Sequence, residues 1–317
     1  MNKVAETLDV AVKPAIKLIE LVSKAIGTLY EPHKIKKMAD AEAYRIGVIG
    51  KAISDNVNLP MSYSKDGLTI DITNFNEFES RAINRVIQQE VKRQRNIESI
   101  ADEAYDILKD DISESGEVVS DDWMTKFVSY AQDVSDEDMK KIWAKILAEE
   151  VKKPKSFSKR TLSILCNLSK EEALIFGKCS SLKINGYIPN EIELLKKYGI
   201  KYGDILDMDD CGLLNSDGFI GSSIELESDD DYILLNDELL LKVKGEKGEI
   251  LEFQQFPFTA SGLELCSITG QQLNVEFAIE YAKIVQKKNE TFTFSLHKVN
   301  YAKNNKIDYD DKNLLDQ

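Results

Sequence analysis

Apolar residues recur every three or four positions through most of the first 180 residues, and beyond Tyr187 strand-like runs appear among shorter helical ones. That change of period constrains the fold more than any other feature of the chain. A repeat near 3.6 stacks side chains on one face of a helix, whereas a repeat of two lines one face of a strand. The expectation is an α+β protein, with long N-terminal helices and a helical core followed by a small β-containing module. At 317 residues there is chain enough for two or three domains, and an apolar share of 43% argues against disorder.

Val4, Leu8, Ala11, Ala15, Leu18, Val22, Ala25 and Leu29 fall on one stripe by alternate steps of four and three. Glu31-Pro32 ends that helix. Ile35, Ala39, Ile46, Ile49 and Ile53 predict a second, and turn chemistry at Ser64 to Gly67 with alternating Leu68, Ile70 and Ile72 predicts a short hairpin or linker. A long third helix, about 76–110, carries Ile83, Ile87, Ile97, Ala101, Ala104 and Leu108 on one face. Such helices pack antiparallel within a chain or pair between chains, and the spacing leaves both open. The first helix is also a candidate for lying on a membrane surface, although its polar face mixes acids with lysines. Charges throughout Met1 to Tyr30 and the lack of an 18-residue apolar run make the cytoplasm the expected location.

Asp121-Asp122 precede Trp123, Phe127, Val128 and Ala131, predicting a short helix with acids at its positive end. Ser135 with Asp136, Glu137 and Asp138 marks another start, and Met139, Ile142, Trp143, Ile146 and Leu147 form its apolar face. Ser158 opens a helix bearing Leu162, Ile164 and Leu165, and Ser169-Lys170-Glu171-Glu172 caps the next. Beyond Tyr187, helices at 190–198 and 202–211 precede strands at 223–227, 232–235, 239–243 and 250–258, with a turn at Lys244 to Gly248. Two short helices followed by that hairpin predict a winged-helix-like module. A helix at 272–288, a strand through Phe292, Phe294 and Leu296, and a loose polar end from Asn304 complete the chain. The regions so drawn are 1–118, 119–182, 183–270 and 271–317.

The runs D-W-M-T-K-F (Asp122 to Phe127), V-S-D-E-D-M (Val134 to Met139), W-A-K-I-L-A (Trp143 to Ala148), K-K-P-K-S-F-S (Lys152 to Ser158), T-L (Thr161, Leu162) and L-S-K-E-E-A (Leu168 to Ala173) form a pattern. It resembles the bacterial domain-of-unknown-function family 2806, with a looser similarity to abortive-infection alpha-like proteins. F-T-A-S-G-L-E-L (Phe258 to Leu265) fits the later T-x-x-G-x-E-L element of such proteins. The resemblance implies a helical core with an appended α+β module and a part in antiphage defence. It brings no catalytic residues.

No catalytic pattern emerges from the residues themselves. Cys166, Cys179, Cys211 and Cys266 form no C-x-x-C pair and read as small apolar residues. Two histidines, His33 and His297, are too few for a His-rich zinc site. Asp207-Met-Asp209-Asp-Cys211-Gly212 begins like a calcium loop, but position five is Cys211 and position twelve is Gly218, where a bidentate Glu is required. Asp229-Asp230-Asp231 beside Glu225 and Glu227 reads as a solvated acidic turn, since neighbouring strand side chains face opposite ways. Pro189-Asn190 with Glu193 and Lys196 lacks the metal-binding acid of a nuclease. Phosphate-loop, nucleophile-elbow and dinucleotide glycine patterns are missing. The expectation is a protein without catalytic residues, metal or cofactor.

The net charge of −14 excludes broad coating of nucleic acid but hides strong local contrast. Residues 151–203 carry 11 basic and 4 acidic groups, whereas residues 204–238 carry 12 acids and no base. Lys152, Lys153, Lys155, Lys159 and Arg160 form the first candidate interaction patch, and Arg81, Arg85, Lys92, Arg93 and Arg95 a second on the long helix. Either suits phosphate or an acidic protein face, and lysines near a helix C-terminus also have a merely structural use. The acidic block leading through the winged-helix-like module favours protein over DNA. The reading is a homo-oligomer built on the long N-terminal helices, with a protein partner, acting in defence through assembly. Nucleic-acid binding through Lys152 to Arg160 and the wing is the alternative, and membrane action through the N-terminus a second.

Overall fold

The computed structural model describes residues 13–27, 30–32, 61–64, 67–70, 76–111, 117–217, 221–236, 238–270, 272–303 and 306–316. The helix expected over Ile35 to Ile53, His33, the turns before residue 13 and the Ser113 to Gly116 loop lie outside the described residues. The chain divides into two compact units, residues 1–166 and 167–317, so the expected region 119–182 falls on both sides of the division.

The first unit contains α1 (Lys13–Ile26), the antiparallel pair β1 (Met61–Ser64) and β2 (Gly67–Ile70), α2 (Glu77–Leu108), α3 (Asp121–Ala131), α4 (Glu137–Lys152) and α5 (Lys159–Asn167). Helix α2 starts in a reciprocal cap: Asn76 Oδ1 accepts from the Glu79 N–H, and Glu79 Oε2 accepts from the Asn76 N–H. At about 1.5 Å per residue it is roughly 48 Å long. Its C-terminal half buries Ile97, Ile100, Ala101, Ala104 and Leu108 and packs on α1 and α4. The long-helix face therefore packs within the chain, one of the two arrangements its spacing allowed. The Ala15, Leu18 and Val22 face of α1 is likewise fully buried in this unit. Helix α4 begins one residue later than its composition suggests, because Asp136 Oδ1, and not Ser135, accepts from the Asp138 and Met139 N–H groups.

The second unit runs α6 (Lys170–Ser181), β3 (Tyr187–Pro189), α7 (Ile192–Lys197), α8 (Tyr202–Asp210), β4 (Gly221–Glu225), β5 (Asp230–Leu234), β6 (Leu239–Lys244), β7 (Ile250–Pro257), α9 (Ala260–Thr269), α10 (Val275–Lys288), β8 (Thr293–Lys303) and β9 (Lys306–Tyr309). Two antiparallel sheets have the orders β3-β7-β4 and β5-β6-β8-β9. The protein is thus α+β.

The hairpin expected across Lys244 to Gly248 is not there: β6 and β7 belong to different sheets. Instead β4 and β5 pair with β7 and β6 as one long kinked ribbon. Its register runs from Gly221 opposite Gln254 to Glu225 opposite Ile250, then from Asp230 opposite Lys244 to Leu234 opposite Leu240. Across the kink the Leu226 N–H donates to the Glu249 carbonyl and the Gly245 N–H to the Asp229 carbonyl. The ribbon reverses near Asn236, whose Oδ1 accepts from the Glu238 and Leu239 N–H groups. The glycines that look like a turn serve the kink. A Cβ on Gly245 would lie 2.6 Å from Phe292 Cδ1 and 2.9 Å from Leu226 Cδ1.

Two further expectations change. Helix α9 fills a stretch read only as a motif, and the chain end is not loose. There β9 pairs with β8, Leu314 is buried, and the Asp310 carbonyl lies 2.9 Å from His297 Nδ1.

Candidate interaction surfaces

The first basic patch begins on α4 and continues into the loop to α5. Glu150, 2% exposed, organises that loop: one carboxylate oxygen accepts from the Lys155 N–H at 2.7 Å, the other from the Phe157 N–H at 3.0 Å. Lys155 adopts a φ of 72°, a left-handed conformation this pair of bonds holds in place. The Trp123 indole N–H donates to the Phe157 carbonyl at 2.8 Å, and Phe127 stacks on Trp123 and meets Trp143 edge-on. The segment is therefore a folded strap over an aromatic core.

The strap's charges are largely matched locally. Lys152 Nζ reaches Asp111 at 3.0 Å and Glu149 at 2.8 Å, Lys155 reaches Glu117 at 2.7 Å, and Lys159 lies 3.7 Å from Asp122. Burial works against the Lys152 ammonium, but its hydrogen bonds to Glu149 and Asp111 outweigh it and hold the pKa above the ordinary lysine value. Lys153 and Arg160 are exposed and form no ion pair among the described residues. Five basic residues in sequence thus present two unmatched charges.

On α2 the second patch splits. Steps of four, seven and three put Arg81, Arg85, Lys92 and Arg95 on one stripe, opposite the buried face. Arg93 points away from it and is shared between Asp133 at 2.8 Å and Glu90 at 2.9 Å, the Asp133 bond raising its pKa most. Arg81 pairs with Glu77. Arg85, Lys92 and Arg95 are exposed and without an acid partner among the described residues. Phe78, 73% exposed, stands on the same side.

A third surface went unrecognised in the sequence because its residues looked like a failed calcium loop. Helix α8 buries Ile205 and Met208 and turns Tyr202, Leu206, Asp207 and Asp210 outward, Tyr202 and Leu206 being 48% and 41% exposed. Asp209 is committed to the Ser216 N–H and hydroxyl, and Asp204 caps the helix start through the Lys201 N–H. A helical backbone spreads these acids around the axis and cannot bring them to one ion. The signal that would have found this face is the 3.6-residue period within 202–210.

The remaining polar groups hold structure. His297 is buried between the Asp310 carbonyl and Ser295 Oγ. Glu280 accepts from Lys197 and from the Tyr198 hydroxyl, tying α7 to α10, and those bonds hold its carboxyl below the usual range. Burial pushes the Cys179 thiol up to about 12, with Asp204 adding to it. Among the described residues no helix is long and apolar enough to cross a membrane.

The family model described as "Protein of unknown function (DUF2806)" matches residues 80–195 and 188–282. No curated protein and no solved structure matches the chain.

Proposed function

The chain belongs to the DUF2806 family, whose motif residues here act as caps, aromatic anchors and loop ties, and on that footing we propose that it works by binding protein, not by chemistry. We read it as a self-associating assembly protein of the bacterial cytoplasm. The observation that carries this reading is the outer face of α8. The order α6, β3, α7, α8, β4, β7 and the sheet order β3-β7-β4 support a winged-helix reading, with β5 and β6 extending the wing. In that reading α8 is the helix that would enter a DNA groove. It bears four aspartates and no base, so phosphate would be repelled, while Tyr202 and Leu206 offer apolar area to a protein.

Sedimentation velocity of the full chain with and without Leu206→Arg tests the reading. The wild-type chain is expected to sediment as an oligomer and the variant as a monomer with an unchanged circular dichroism spectrum. A monomeric wild-type chain at micromolar concentration overturns it. The antiphage role suggested by the resemblance is the setting proposed for this assembly, checked by phage plating on cells carrying either form. Reduced plating with both forms alike would separate defence from assembly.

A second reading, nucleic-acid binding, is favoured by the unmatched stripe on α2 more than by Lys152 to Arg160. Salt-dependent binding of a labelled duplex, lost on Arg85→Glu with Lys92→Glu, is what it requires.

A further inference from the structure

The geometry points to a specific occupant for the outer face of α8: the basic stripe of α2 on a second copy of this chain. This rests on α8 being a protein-contacting helix and names its partner. The α8 face combines exposed apolar side chains with negative charge, and the stripe carries the opposite sign on long side chains whose aliphatic stems offer apolar area. The stripe offers Arg85, Lys92 and Arg95 with no acid partner among the described residues, and Phe78 is exposed about 10 Å of helical rise before Arg85. The α8 face offers Asp207 and Asp210 beside Tyr202 and Leu206.

Their spacings match. Asp207 and Asp210 stand three residues apart on one helix, as Lys92 and Arg95 do on the other. Each pair is thus separated by about 4.5 Å of helical rise, so two helices laid side by side bring two acids against two bases. Exposed ion pairs contribute little affinity and mainly set partner and register. The apolar contact of Tyr202 and Leu206 supplies the binding, and the charges decide what is bound.

A duplex would suit the stripe and be repelled by α8. A foreign acidic protein would do the same. A second copy satisfies both faces, because each chain carries one of each. The contact joins unlike patches, so two copies related by a two-fold axis make it twice, and copies related otherwise propagate it head to tail.

Sedimentation velocity on two charge-reversed full chains tests this pairing. One carries Lys92→Glu with Arg95→Glu, the other Asp207→Lys with Asp210→Lys. All four positions are exposed, and charge-neutral Gln and Asn versions guard against misfolding. Each reversed chain alone is expected to lose the wild-type assembly, and an equimolar mixture is expected to regain it. Assembly that survives either reversal, or a mixture that stays monomeric, overturns the pairing. If assembly survives both reversals yet is lost in Leu206→Arg, the protein-binding role of α8 stands and the stripe is not its partner. If the stripe reversal abolishes binding of a fluorescein-labelled DNA duplex and leaves assembly intact, the stripe belongs to nucleic acid and the pairing fails.

Discussion

Two tryptophans in one core have different polar fates, which makes their roles separable. Trp123 donates to the Phe157 carbonyl, whereas the Trp143 indole N–H is buried with no hydrogen-bond partner among the described residues. Replacing either by Phe removes similar volume, but only Trp123→Phe strands a buried carbonyl. That variant is expected to cost about 1–3 kcal/mol more in urea unfolding than Trp143→Phe. Thiols report burial in the same way. Cys179 and Cys266 are buried, Cys166 is exposed, and Cys211 is half-buried with its thiol raised to about 11 by burial and then by Glu172. Alkylation of the native chain at pH 8, followed by mass spectrometry, is expected to label Cys166 first and Cys179 only on unfolding. Glu280 sets an acid limit. Its folded pKa lies below the unfolded value, so its contribution is complete above the ordinary carboxylate range and fades as pH falls through the depressed value. Melting temperature is expected to drop from about pH 5 to pH 3, and Glu280→Gln to flatten that drop.

The run from Phe258 to Leu265 owes its residues to the packing of helix and strand. Thr259 Oγ1 caps α9 by accepting from the Gly262 N–H at 3.1 Å, and a Cβ on Gly262 would sit 2.1 Å from the Leu213 carbonyl oxygen. Gly262→Ala therefore forces α9 off its neighbour and is expected to cost about 1–3 kcal/mol, read as a lower denaturation midpoint. Much of this scale was legible beforehand. The Ser169 to Glu172 capping box, the Trp123 and Met139 helices and the long α2 stand where their periodicity placed them. What escaped had non-local causes. Nothing in Lys244 to Gly248 distinguishes a turn from a kink, because the distinction lies in Phe292, far along the chain. Helix α9 buries Ser261 and Gly262 with Leu265, Cys266 and Ile268 while exposing Leu263, so its apolar residues do not mark its buried face. Among candidate site residues, Arg85, Lys92 and Arg95 remained a stripe, but Lys152, Lys155 and Lys159 were absorbed by Asp111, Glu117 and Asp122, whose proximity only the fold creates, and Lys152 also by Glu149 one turn back on its own helix.

At the scale of the whole molecule, most basic groups of the strap are matched locally, whereas Arg85, Lys92 and Arg95 on α2 and Asp207 and Asp210 on α8 form no ion pair among the described residues. That contrast is what the net −14 conceals. The proposed assembly takes its affinity from apolar contact and its choice of partner from unlike charges, so salt weakens it only in part as it shortens the reach of electrostatics. Light scattering on the full chain at micromolar concentration measures this directly. The expected result is a molar mass of at least two chains at low salt, only part of which is lost as salt is raised. A mass of 35.8 kDa at low salt would contradict the account.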